Sequence, residues 1–257
     1  MDVNNPSRVV ALPAQNGRAF RALQTGPLFW LVMLAASALG TNLGDVFAGW
    51  LGLPGAVSFG LLVASSVLAI AGDWEAGRRT ELYYWIAIVV LRGAATNVAD
   101  FLTEDLRLGF VPMMAVLAVA TLLAGARTRA GTGTRVASPV IDGWYWTAML
   151  VAGVFGTVGG DLMNRSVGLF ASAGLLTALL LAALAARRQW FPAAMLAYWV
   201  VVLAERCAGT PIGDGLASRR GVGLGLPAAT ACTAALFGAA LVWRAWVRNR
   251  APAADVS

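Results

Sequence analysis

Lysine and histidine are both absent from this chain of 257 residues, only two cysteines occur, and charged residues make up 12% of it. Without histidine or paired cysteines there is no zinc or copper cage, and Cys207 and Cys232, at no metal-ligand spacing, are expected as two buried free thiols. No nucleophile–base pair is in sight, so the chain is read as a non-enzyme. The shortage of charge beside 59% hydrophobic residues excludes a soluble domain of this size. The short alternating segments of a β-barrel are missing as well, which leaves helices.

What the chain has instead is long apolar runs. Crossing a hydrocarbon core of roughly 30 Å takes about 20 helical residues. Such spans can be placed near 28–50, 56–72, 83–103, 109–125, 143–163, 168–186, 190–213 and 224–243. The expected fold is therefore an all-α polytopic membrane protein with eight transmembrane helices. Residues 1–26 and 249–257, polar and without apolar periodicity, read as tails.

All positive charge is arginine. Arg8, Arg18 and Arg21 precede the first span; Arg78, Arg79, Arg127, Arg129, Arg135, Arg187 and Arg188 fill alternate links; Arg244, Arg248 and Arg250 follow the last. The opposite links hold only Arg107, Arg165, Arg219 and Arg220. The positive-inside rule then puts both termini in the cytoplasm of a bacterial inner membrane. The net charge of +6 reports this topology and implies no nucleic-acid partner. The expected partners are the lipid bilayer and further copies of the chain in a homo-oligomer.

Four tryptophans are each followed, fifteen residues on, by an aspartate: Trp30 and Asp45, Trp85 and Asp100, Trp146 and Asp161, Trp199 and Asp214. Each aspartate closes a hexapeptide: Gly40-Thr41-Asn42-Leu43-Gly44-Asp45, Ala95-Thr96-Asn97-Val98-Ala99-Asp100, Gly156-Thr157-Val158-Gly159-Gly160-Asp161 and Gly209-Thr210-Pro211-Ile212-Gly213-Asp214. This internal repeat divides the membrane part, 27–248, into four parallel helical hairpins at about 27–73, 82–126, 142–187 and 190–245. They would be related by a pseudo-fourfold or twofold axis along the membrane normal.

Each motif has a physical content. Small residues four apart, Gly40 and Gly44, Gly156 and Gly160, Gly209 and Gly213, share one helix face and let a second backbone approach. The threonine, one turn before the aspartate, sets a hydroxyl beside a carboxylate. The four tryptophans are expected as interfacial anchors. Each aspartate then lies roughly 22 Å further along the helix, in the outer half of the core, where an ionisable group suggests function. Thr41, Thr96, Thr157 and Thr210 with the four aspartates form the candidate ion site. Oxygen ligands of this kind suit a hard divalent cation such as Mn²⁺, and no other cofactor is evident.

Eight residues before the aspartate, the second and fourth units carry Arg92 and Arg206, with Glu205 adjacent. These are expected as intramembrane ion pairs. Pairing with aspartates of neighbouring helices would leave Asp45 and Asp161 as the freer metal or proton ligands. The competing expectation is that the aspartates and threonines only cap and pack helices in a non-transporting scaffold or accessory protein.

At these motifs the chain resembles a bacterial family of uncharacterised multi-pass proteins labelled membrane-anchored, built from repeated hairpins with Gly-x-Thr-x-Gly-Asp-like motifs. The resemblance covers residues 28–243 and implies a membrane fold without an activity. The family's first motif often carries a glutamate where Thr41 or its neighbour stands. A fainter likeness is to cation exporters with a repeated Glu-x-Gly-Asp, whose glutamate is missing from all four copies here. The Gly-x-Gly-Asp of intramembrane aspartyl proteases is not matched. The leading functional expectation is a cation transporter or channel-like protein, for a divalent metal or coupled to protons.

Overall fold

In a computed structural model of the chain, the described residues are 25–50, 55–76, 81–131 and 138–250. The polar tails, apart from residues 25–26 and 249–250, the glycine-threonine link at 132–137 and Arg8, Arg18, Arg21, Arg78, Arg79 and Arg135 lie outside them.

The described chain is helical: α1 (Pro27–Asp45), α2 (Gly55–Ala76), α3 (Leu82–Asp100), α4 (Phe110–Ala126), α5 (Gly143–Val167), α6 (Leu169–Gln189), α7 (Met195–Ala217) and α8 (Leu226–Arg250). Sequence signals fix several ends. Pro27 opens α1, where a missing N–H costs nothing. Asp142 caps α5, its Oδ1 accepting from the Tyr145 amide at 2.9 Å. Gly168, with φ at +82°, turns the chain sharply from α5 into α6.

All eight expected segments are helices, but six of them, α1, α3, α5, α6, α7 and α8, are long and apolar enough to cross a membrane, counting the described residues. The shorter apolar stretches are Gly60–Asp73 within α2 and Phe110–Ala126, the whole of α4. The α4 helix falls short by its length of 17 residues.

The odd-numbered helices form a closed inner ring, α1 against α3, α3 against α5, α5 against α7 and α7 against α1. The even-numbered helices lie outside. Each rests chiefly on the inner helix of the following hairpin: α2 on α3, α4 on α5, α6 on α7, and α8 back on α1. The hairpins are thus interlocked, and the last helix closes the circle onto the first. Burial follows the same division, with 72% of the apolar window of α7 buried against 17% in α6 and in α8. Leu68, Val111, Phe170 and Val242 are among the large apolar side chains that the outer helices leave uncovered. Such an apolar perimeter suits lipid as solvent.

Candidate functional site: an axial guanidinium beneath four carboxylates

At the N-terminal end of the inner helices, each tryptophan of the repeat is preceded by another aromatic residue, giving Phe29-Trp30, Tyr84-Trp85, Tyr145-Trp146 and Tyr198-Trp199. Trp85 packs on Phe29 with ring centroids 5.6 Å apart, Trp146 on Tyr84 at 5.7 Å, Trp199 on Tyr145 at 5.7 Å and Trp30 on Tyr198 at 5.5 Å. The cycle closes. Instead of facing headgroups as anchors, Trp30, Trp85, Trp146 and Trp199 are all buried within the bundle. Their large apolar surface fills the space between successive helices. Tyr84 and Tyr145 share a hydroxyl hydrogen bond of 2.6 Å, and Tyr145 and Tyr198 one of 3.5 Å. Phe29, at the fourth corner, brings no hydroxyl.

The small residues of the motif work as expected, and with a regular handoff. A Cβ on Gly40 would lie 2.5 Å from Arg92 Cβ, and one on Gly156 the same distance from Arg206 Cβ. Gly209 meets Ser37 likewise, and Gly153 meets Ala95. One residue before the aspartate, Gly44 abuts Thr96, Gly160 abuts Thr210, and Gly213 abuts the Ala38 carbonyl and Thr41. Each motif therefore packs against the arginine or threonine position of a neighbouring inner helix. Where that position is an arginine, the facing residue is glycine.

Arg92, 1% exposed, stands on the axis of the ring and binds all four inner helices. Its Nε donates to Ser37 Oγ of α1 at 3.2 Å, and Nη1 to its own helix at Thr96 Oγ1, 3.2 Å. Nη1 also reaches Thr157 Oγ1 of α5 at 2.6 Å and the Gly153 carbonyl at 3.2 Å, and Nη2 reaches Thr210 Oγ1 of α7 at 2.7 Å. Thr41 turns back onto its own helix, donating to the Ser37 carbonyl at 3.1 Å. The expected direct pairing of Arg92 and Arg206 with aspartates does not occur. Arg92 is saturated by hydroxyls and a carbonyl, while Arg206 pairs with Glu205 at 3.5 Å and points to the sulfurs of Met33 and Met149.

One turn beyond the threonines the aspartates converge. Every pair among Asp45, Asp100, Asp161 and Asp214 is close enough to interact through its charges, and Arg92 acts on all four. Asp214 accepts a hydrogen bond from Asn164 Nδ2 at 3.0 Å, and Asn164 Oδ1 accepts from Ser172. The capping expectation fails. The helices run on past the aspartates, as π-helical turns over Val46–Trp50 and Phe101–Asp105 and as α-helix in α5 and α7, and Asp100 makes no capping hydrogen bond. Among the described residues no three acidic or thiol side chains are gathered closely enough to hold one metal ion. Asp45 and Asp161 are therefore placed in a shared electrostatic ring without forming a coordination cluster.

Sequence reading missed the aromatic partners Phe29, Tyr84, Tyr145 and Tyr198, as well as Ser37, Asn164 and Met33. The aromatic pairs were detectable, since the residue before each repeat tryptophan is aromatic in all four units.

Residues 197–250, which contain nearly all of α7 and the whole of α8, match the family described as a Repeat of Unknown Function (DUF347). The match covers the helix pair α7–α8, which is thus similar to a repeat family of unknown function. No curated protein and no solved structure matches the chain.

Proposed function

We propose that the chain is a multi-pass transporter of the bacterial inner membrane that binds a cation, in its best-supported form the proton, at the ring of Asp45, Asp100, Asp161 and Asp214. In this reading all eight helices are embedded, the four hairpins are parallel repeats about the membrane normal, and both termini are cytoplasmic. The observation that carries it is the convergence of the four carboxylates above Arg92. Around the ring these four acids and Glu205 face Arg92 and Arg206, with Arg165 of α5 acting on Asp161. When all are ionised, the acids still outnumber these arginines by five to three in a low-dielectric interior, which is expensive. Protons or small cations taken from solution supply the balance.

The mutual repulsion of the carboxylates favours cation uptake, and the hydroxyl-held guanidinium keeps that repulsion from bursting the ring. Arg92 also fills the axis, so a continuous cation pore is disfavoured and a carrier or relay is preferred to a channel. A divalent metal remains the weaker version, because the acids are not gathered as ligands of one ion. The second reading, a non-enzymatic scaffold, draws on the glycine handoff, which shows that part of each motif packs neighbouring helices.

The test is reconstitution into proteoliposomes containing a pH-sensitive dye, under an imposed membrane potential, with Mn²⁺ uptake followed in parallel. The wild-type protein should move protons, and Asp45→Asn and Asp161→Asn should stop it while folding normally. No ion movement by the folded wild-type protein would leave the scaffold reading.

A further inference from the structure

A groove of about 520 Å³ runs down the outside of the bundle between α1, α7 and α8, where the last helix closes onto the first. It follows from how α8 is seated. That helix rests chiefly on α1 and more lightly on α7, and Asn42 Nδ2 straps it to α1 by donating to Thr233 Oγ1 at 3.4 Å. Ala35 and Ala38 of α1 and Ala239 of α8 line the gap, and such short side chains leave it unfilled. Thr233 brings the one hydroxyl in a wall that is otherwise apolar, so water finds few partners there.

The groove is long. With the aspartates as a common level, Leu31 at one end stands fourteen residues before Asp45, and Leu216 at the other stands two residues after Asp214. Sixteen helical residues rise roughly 24 Å, more than the roughly 15 Å of hydrocarbon in one leaflet. A single acyl chain fits along it.

The two ends differ in charge. Beyond Leu216 the turn at 218–225 folds back on α7, with the Val222 amide donating to the Gly215 carbonyl at 2.7 Å and the Leu224 amide to that of Leu216 at 3.0 Å. This holds Arg219 and Arg220 exposed, just past the end of the groove. Among the described residues neither forms an ion pair, and the turn itself carries no acid. Nor are they among the groups that act most strongly on Asp214, which are Asp161, Arg92 and Asp100. At the opposite end, beside Trp243, Arg244 and Arg248 are already paired with Glu81. Free positive charge therefore marks one end of the groove.

We propose that this groove binds an anionic phospholipid, one acyl chain lying between α1, α7 and α8 and the headgroup phosphate held by Arg219 and Arg220. The apolar walls retain the chain, and the guanidinium forks, which match phosphate oxygens, select the headgroup. The bound chain fills the space that the alanines leave and fixes α8 against α7, so that lipid completes the closure of the circle. The site is separate from the carboxylate ring and does not depend on any ion there.

Native mass spectrometry of the full chain in detergent, titrated with phosphatidylglycerol or with phosphatidylcholine of the same chains, tests it. Wild type should hold one phosphatidylglycerol about tenfold more tightly than phosphatidylcholine, since two arginines face the phosphate. Saturating phosphatidylglycerol should raise its melting temperature by about 5 °C. Arg219→Gln/Arg220→Gln should fold normally, because both side chains are exposed, and should lose the preference. Ala239→Phe, which sets a ring into the groove from an exposed position, should weaken both lipids and remove the thermal shift, as should Ala35→Leu from the α1 side. Glycerol phosphate, a headgroup without chains, should not compete. Equal retention of the two lipids by wild type, or a preference that survives the double arginine variant, overturns the headgroup site. Lipid binding unchanged in folded Ala239→Phe and Ala35→Leu, or a lipid-free dimer that these variants dissociate, overturns the chain site.

Discussion

Arg92 of α3 donates from Nη2 to the Thr210 hydroxyl of α7 at 2.7 Å, reaching straight across the ring to the opposite inner helix. Its other nitrogens engage α1 and α5, so one side chain ties the four motif-bearing helices at the level of their threonines. Planar geometry makes this work: five donors in a fixed fork can face several walls at once, which a lysine ammonium cannot. Arg92→Lys should therefore destabilise the bundle by about 3 kcal/mol, and Thr157→Val, which removes one charge-assisted bond, by about 1.5–3 kcal/mol. Thermal unfolding in detergent measures both. Equal melting temperatures for Arg92→Lys and wild type would show that the fork is dispensable.

The glycine handoff predicts a sharp contrast between glycines. A methyl group at Gly160 would run into Thr210 Cβ, whereas one at Gly174 on the outer face of α6 meets nothing within 4 Å. Gly160→Ala should cost about 1–3 kcal/mol through overpacking. Gly174→Ala should be neutral or stabilising by up to about 1 kcal/mol, because alanine is the better helix former. If the two variants unfold alike, the close approach of α5 to α7 is not tight.

Much of this arrangement was legible in the residues alone. The spacing from Trp30 to Asp45 and its three echoes identified the inner helices, and each apolar run overlaps one of the eight helices, the last span stopping at 243 where α8 runs on to Arg250. The reach of Arg92 was not legible, because a periodic pattern shows which face a side chain occupies and not which helix lies opposite. Only once α1, α3, α5 and α7 close into a ring does Arg92 become surrounded by hydroxyls, so the nearest acceptors beat the more distant carboxylates. The tryptophans were misread for a related reason: an aromatic residue at a helix end serves equally as a lipid anchor or as a plug between helices. The neighbouring Phe29, Tyr84, Tyr145 and Tyr198 decide the matter in three dimensions.

Glu81 ties the start of α3 to the end of α8. It bonds to Arg244 Nε at 3.2 Å, pairs with Arg248 and accepts from Trp85 Nε1 at 3.3 Å. Burial pushes its carboxyl up, but the charge and hydrogen bond of Arg244, with Arg248 and Trp85, outweigh this and hold it below the ordinary value of 4.5. A depressed carboxyl contributes stability that is complete above 4.5 and fades as pH falls through the lowered value. Melting temperatures taken from neutral pH down into this acid range should therefore fall more steeply in wild type than in Glu81→Gln. The variant should be the less stable at neutral pH, and the two should converge in acid. Parallel curves would remove Glu81 as the cause.

On the proposed reading, the carboxylate ring sets stability against transport. Four acids that repel one another are strained when ionised, so Asp45→Asn or Asp100→Asn should raise the melting temperature. A gain of about 1 kcal/mol corresponds to roughly 2–4 °C for a chain of this size. The same variants should lose proton movement in liposomes. Greater stability together with undiminished transport would separate the ring from the transport site.

The aromatic floor gives the last contrast. Trp199 is fully buried, packs on Tyr198 and Tyr145 with centroids at 5.2 and 5.7 Å, and donates from Nε1 to Thr128 Oγ1 at 3.3 Å. Gly125 of α4 has no side chain because the Trp199 indole occupies that space. Trp144, by contrast, is 44% exposed, with Arg127 stacked over it at 4.8 Å. If tryptophans serve this protein chiefly as anchors, replacing either by alanine should have a similar small effect. If the floor is a packed closure, Trp199→Ala opens a cavity between α4, α5 and α7 and should cost about 3–5 kcal/mol. Trp144→Ala should lose only a cation–π contact of about 0.5–1 kcal/mol. Urea or thermal unfolding of the two variants in the same detergent distinguishes these cases. A Trp199→Ala protein as stable as Trp144→Ala would mean that the floor, and with it the closure of the axis at this end, does not hold the bundle together.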